Sequence, residues 1–349
     1  MNTCLPISVQ TQDRKIYRKD RLVAAFFQAR EQNKNLEIDF YPEGSCATSL
    51  RLYEILDELC EKYNFDKSRI TIKTANLLEQ HDHYRIVCVP SYWYEIREIQ
   101  AWVTKNSIDT GIMPTRHFGC FVSRSTWSRL WVSTYLNKHH ADKTLQTYHY
   151  DRTRQNYNGN GYVGLDDLFQ FGCNIIPDCA NFLTTCPRTI DLDFLKTYKN
   201  AKSLFQHGDS YYPIQVPANM NLLNYYHDIF VDIVTEPNVM GTNFLVTEKL
   251  WRCIVARRPF IVLGTANYLH NLRKLGFDTF YQYWDESYDG QIGQTRIGHM
   301  LEVIDRLATW DTEQCSQTLN RMQPILDHNL QVFKSLDYNK LAKVFDIND

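Results

Sequence analysis

Three consecutive residues carry the clearest chemistry in this sequence. Thr247, Glu248 and Lys249 lie inside IVTEPNVMGTNFLVTEKLWRCIVARRPFIVLG, residues 233–264. The apolar spacing after Thr247 predicts a helix over 247–258, and a threonine there caps the free N–H groups of the first turn. Glu248 and Lys249 then fall within that turn. A basic side chain beside exposed backbone N–H groups makes an anion site, because ammonium and helix dipole act together. The segment follows a predicted parallel strand, 227–236, and open α/β sheets take ligands beyond the carboxyl ends of their strands. A phosphate or pyrophosphate suits such a corner. Ordinary capping with a solvated Glu and Lys is the competing reading of the tripeptide, and the order of the surrounding elements separates the two.

Arg124 and Arg129 lie in FVSRSTWSR, 121–129, where a strand runs into a helix. A guanidinium recognises phosphate through two parallel hydrogen bonds, so either Arg with Lys249 would clamp a diphosphate. Helix dipoles do not favour Arg at an N-terminus, which keeps a pair of surface arginines as the alternative. Asp191 and Asp193 flank one residue, a pattern that can hold a divalent cation. They precede Phe194-Leu195-Lys196, so a helix cap is the stronger reading. Cys173, Cys179 and Cys186 lack the tight C-x2-C spacing of zinc sites, and no metal is assigned. Asp285-Glu286-Ser287-Tyr288-Asp289 reads as a solvated loop.

The elements that would position these residues fall into two groups. A helix over 21–33, a strand at 36–40, a helix over 48–63 and strands at 69–75 and 84–90 predict a small α/β domain after a polar lead-in. A strand at 117–125, a helix to about 140 and a strand at 145–150 open a second. An irregular insert over 151–218, with the turn-rich YNGNGYVG at 157–164, suits a functional loop or lid, or packing particular to this protein. Strand 227–236, helix 247–258, strand 259–264 and helix 266–277 form a βαβα unit. Helices over 293–308 and 311–335 follow. The boundary falls near residue 115, giving domains 1–115 and 116–349.

The chain's 349 residues accommodate two domains at about 100–200 residues each. Lys plus Arg total 38 against 40 Asp plus Glu. That balance excludes a whole-surface grip on nucleic acid or an anionic membrane but permits a local basic site. No apolar run is long enough to span a membrane, and no secretory signal precedes the ten cysteines. Free thiols in a reducing, cytoplasmic compartment are the expectation. There are 22 tyrosines. Most suit core packing, with Tyr92, Tyr94, Tyr211 and Tyr212 as candidate platforms for sugar rings.

The order of elements around Thr247–Lys249 resembles the donor-binding region of family-10 fucosyltransferases. It also resembles related phage and viral proteins with a GT-B-like glycosyltransferase fold. The likeness rests on T-E-K-L-W-R after a strand ending in Glu236, and on the apolar strand Pro259–Gly264 that follows. It covers about residues 229–280. Phage-type relatives carry a run similar to Asp285–Asp289, and FVSRSTWSR resembles the segment where an Arg of such proteins contacts the diphosphate. The resemblance implies two Rossmann-like domains facing across a cleft, acceptor on the first and nucleotide-sugar on the second. It implies inverting, metal-independent transfer from a nucleoside-diphosphate sugar, GDP-fucose-like donors included, to a glycan acceptor, with no separate cofactor. A viral protein would work in the host cytoplasm. Lys249 then neutralises the diphosphate, Glu248 binds sugar or ribose hydroxyls, Thr247 caps, and Glu236 shapes the donor pocket. The family usually continues with Asn where this chain has Pro237, and the acceptor side shows no match.

An inverting transfer needs a carboxylate to take the acceptor hydroxyl's proton. Glu43, in the turn after strand 36–41, is the first candidate. Asp39 lies within that strand. Asp82, between His81 and His83, is the runner-up. Two other functions compete: a non-catalytic glycan- or nucleotide-binding protein on the same fold, and a metal-dependent transferase using Asp191 and Asp193. The chain has neither a G-x-x-x-x-G-K-[ST] loop nor a G-x-G-x-x-G fingerprint, which counts against kinase and dehydrogenase readings.

Overall fold

A computed structural model describes residues 4–8, 10–12, 15–17, 19–40, 46–89, 93–106, 108, 111, 113–122, 126–148, 176–186, 188, 190 and 217–345. The chain opens with β1 (Cys4–Ser8), a hairpin of β2 (Gln10–Gln12) and β3 (Lys15–Tyr17), and α1 (Lys19–Glu31). Next come β4 (Asn35–Phe40), α2 (Leu52–Tyr63), β5 (Ile70–Thr74) and β6 (Arg85–Cys88). β1, β4, β5 and β6 form one parallel sheet in that order. β4 and β5 alternate: Leu36, Ile38, Phe40, Ile70 and Ile72 are fully buried, and the residues between them are half-exposed. α2 turns Leu52, Leu56 and Leu59 to this core, and its end is closed by Asn64 in the left-handed conformation at φ 48°.

The second sheet is larger in its supporting helices. It follows α3 (Trp93–Lys105) and contains β7 (Arg116–Val122), α4 (Trp127–His139) and β8 (Thr144–Tyr148). α5 (Cys179–Thr184) and a run of 3-10 turns, Pro217–Asp228, lead to β9 (Ile229–Thr235). α6 (Glu248–Val255), β10 (Phe260–Leu263), α7 (Tyr268–Lys274), α8 (Gly293–Ala308), α9 (Thr312–Ser335) and α10 (Tyr338–Val344) complete it. The strand order is β10-β9-β7-β8, all parallel. Every residue of β9 and β10 is buried, as in parallel strands covered on both faces. The chain runs outward from β7 to β8, then returns to lay β9 on the other side of β7. The order therefore reverses between β7 and β9. Their register pairs Phe118 with Val231, which brings their carboxyl ends side by side.

Two mixed α/β units, each on a four-stranded parallel sheet, match the expected class. Several elements differ from expectation. The polar lead-in contains β1, an edge strand paired with β4 from Cys4–Asn35 to Ser8–Asp39. The segment before residue 115 contains α3, whose Ile96 and Ile99 belong to the core of the second sheet. Asp285–Asp289 is not a solvated loop, and only its first acid is exposed. Asp289 is buried, accepts from Leu269 N at 3.0 Å and His270 N at 3.1 Å, and pairs with buried Arg296 at 3.1 Å. It therefore caps α7. Glu286 accepts from Phe280 N and Thr279 Oγ1, each at 2.7 Å, and from Arg273.

Candidate functional site

The candidate site is the corner where β9 ends and α6 begins. Glu236 follows the last residue of β9 and is buried. Its carboxylate accepts from Thr247 N at 3.2 Å, from Thr247 Oγ1 at 2.6 Å and from Tyr268 OH at 2.9 Å. The Tyr268 ring lies so close to the end of β10 that a Cβ on Gly264 would stand 2.7 Å from it. A side chain at Gly264 would push the phenol off Glu236. Thr247 caps α6 by accepting from Lys249 N at 3.4 Å. The Lys249 ammonium donates to Thr247 Oγ1 and to Glu248, each at 3.0 Å. Glu236, Thr247 and Lys249 thus form one hydrogen-bonded chain from strand end to helix start.

Glu248 and Lys249 are not the solvated pair of ordinary capping. Their side chains are only 15% and 17% exposed. Burial alone would raise the Glu248 carboxyl, but the adjacent Lys249 ammonium and Arg252 outweigh it and hold the group well below the usual carboxylate range. Arg252 lies one helical turn further on and is buried. It donates to Tyr226 OH at 3.5 Å, and Tyr226 and Cys253 both donate to buried Asp232. Burial pushes the Asp232 carboxyl up, against the hydrogen bonds from Tyr226 and Cys253. This polar floor was not anticipated. Its signals were an acid inside the apolar run IFVDIVT and an Arg four residues after Glu248.

Arg129 arrives from the neighbouring crossover. Thr126 caps α4, and Arg129, buried in its first turn, donates from Nε at 3.2 Å and from an NH2 group at 3.1 Å to the carbonyl of Thr235. Two of its five N–H donors therefore fix the guanidinium at the carboxyl end of β9, next to Glu236. The fold gathers Arg129, Glu236, Thr247, Glu248 and Lys249 at the carboxyl edge between β7 and β9. Asp82 is not among them. It is exposed, three residues before the start of β6, whose Arg85 pairs with Thr71 near the amino end of β5. The ring of its neighbour His81 lies tilted against Tyr53, centroids 4.1 Å apart. Asp39 is half-buried within β4, in register with Lys73 of β5.

Glu43, Arg124, Asp191, Asp193, Tyr92, Tyr211, Tyr212 and Cys173 lie outside the described residues, as does the side chain of Tyr94. Among the described residues no group of three or more His, Cys, Asp or Glu could hold a metal ion, and no helix is long and apolar enough to cross a membrane. Tyr148, Tyr226, Tyr268 and Tyr288 are core residues. The chain matches no protein-family model and no curated protein.

Proposed function

We propose that the protein is a glycosyltransferase of GT-B-like architecture that binds a nucleoside-diphosphate sugar at the Thr247–Lys249 corner. One observation carries the reading: a half-buried ammonium at a capped helix start lies where the strand order of a parallel sheet reverses. In open α/β sheets that reversal opens a crevice beyond the carboxyl ends of the strands, where nucleotides bind. Lys249 and the first-turn N–H groups of α6 stabilise the diphosphate, whose negative charge grows as the glycosidic bond breaks. Arg129 adds positive charge from the β7 side, with Arg124 as its companion. Glu248, held ionised, accepts from sugar or ribose hydroxyls. Glu236 serves as scaffold, since Thr247 and Tyr268 fill its carboxylate. The first unit presents the glycan acceptor, and Glu43, close in sequence to the carboxyl end of β4, is the base for an inverting, metal-independent transfer in the cytoplasm.

A second reading, a non-catalytic nucleotide- or glycan-binding protein, is favoured by one feature. Both carboxylates at the corner, Glu236 and Glu248, are engaged by internal partners. A thermal-shift screen against UDP-, GDP-, dTDP- and CMP-sugars, followed by a turnover assay with the stabilising donor, separates the two. The transferase reading expects turnover in the wild type and its loss in Glu43→Gln with donor binding retained. A stabilising donor that is never turned over supports the binding protein, and stabilisation by none of them removes both nucleotide readings.

A further inference from the structure

The loop 241–247 that delivers Thr247 to α6 is seated on the first sheet. Asn76, two residues past the end of β5, is fully buried. Its Nδ2 donates to the Thr242 carbonyl at 2.9 Å and to Glu79 at 3.0 Å. Its Oδ1 accepts from Phe244 N and from Leu78 N, each at 3.1 Å. A carboxamide has two donors and two acceptor sites, so all four are filled. Two of the four partners are backbone groups of a loop more than 160 residues away in sequence. Leu77 N adds a bond to the Phe244 carbonyl at 3.4 Å. Glu79, the amide's second support, accepts from Ala47 N at 3.1 Å and Tyr53 OH at 2.7 Å. Gly241 makes the approach possible. Its φ is +80°, and a Cβ there would stand 2.8 Å from Cys46 Cβ and 2.1 Å from Ser49 Oγ.

The contact continues to the site. Phe244 is fully buried and meets the Tyr268 ring edge-on at 5.2 Å. Tyr268 donates to Glu236, which holds Thr247, which holds Lys249. We infer that Asn76 is a positioning residue for the anion site: its carboxamide latches backbone 242–244 to the first sheet and so fixes Thr247 and Lys249 for a diphosphate. The ligand named here rests on the function proposed above; the latch itself does not. No other side chain of this length offers both donors and acceptors. Asn76→Asp keeps the acceptor but sets a carboxylate against the Thr242 carbonyl and Glu79, with Tyr53 and Cys46 as the other titratable groups nearby.

The test uses the full chain and two variants, Asn76→Asp and Gly241→Ala, the second wedging the loop from its other side. Hydrogen exchange reads amides 242–249, and calorimetry reads GDP and UDP. At about pH 8, Asn76→Asp is expected to lower protection of 242–249 about tenfold and to weaken the nucleotide by a similar factor. Protection in β9 and β10 should be retained. At acid pH, where the new carboxyl regains its proton, both losses should shrink. Gly241→Ala should show the same losses at either pH. Unchanged protection at 242–249 in both variants, or loss spread evenly through β7–β10, overturns the latch. Intact nucleotide affinity despite lost protection overturns its positioning role. A wild type that binds neither nucleotide while the exchange result holds overturns the diphosphate reading and leaves the latch standing.

Discussion

Thr247 serves both neighbours with one oxygen, donating to Glu236 and accepting from the backbone and ammonium of Lys249. Thr247→Val keeps the shape and removes every one of these bonds, leaving a buried carboxylate short of a partner. The expected loss is about 2 kcal/mol by urea unfolding, whereas Thr247→Ser, which keeps the hydroxyl, should lose little. Glu248 gives a pH signature. Its carboxyl falls from an ordinary 4.5 to about 2 in the folded protein. A depressed carboxyl contributes stability above its unfolded value, and that contribution is lost as pH falls through the folded value. Urea midpoints should therefore drop between those two values, and Glu248→Gln should flatten that part of the curve. The tripeptide itself was legible, because capping and charge are local. The engagement of Glu236 was not, since its partners lie 11 and 32 residues away.

At the scale of elements, α7 depends on an acid that looked like loop decoration. Asp289 satisfies two first-turn N–H groups and neutralises buried Arg296. Asp289→Ala should cost about 3 kcal/mol, because it strands a buried guanidinium as well as uncapping the helix. Asp285→Ala, at the exposed end of the same run, should be nearly silent. Both are read by thermal or urea unfolding. Strands β4 to β10 and helices α1, α2, α4 and α6 to α9 were legible, since each carries an apolar period or, as in β9 and β10, a near-continuous apolar run. β1 was missed because an edge strand buries only half-exposed Leu5 and Ile7. α3 carries Ile96, Ile99 and Trp102 at helical spacing, a short apolar stripe among charged and polar residues. The reversal between β7 and β9 has no local signature, because strand order is set by packing.

For the whole molecule, the two sheets carry separate cores, yet α3 precedes residue 115 and packs into the second. A fragment starting at residue 93 should therefore be more soluble and unfold more cooperatively than one starting at 116, as judged by calorimetric unfolding. The proposed chemistry uses protein charge on the diphosphate, so transfer should persist after chelation. Loss on chelation, restored by a divalent cation, would point to Asp191 and Asp193. The α/β class was legible from the alternation of elements, whereas the seating of loop 241–247 on Asn76 joins residues that no sequence pattern links. The most direct measurement is calorimetric titration of GDP, UDP and dTDP into the wild type and Lys249→Ala. The account predicts that one diphosphate binds the wild type and that Lys249→Ala weakens it about 30- to 100-fold. Equal affinity in the two proteins, or a wild type that binds none of the three, would contradict it.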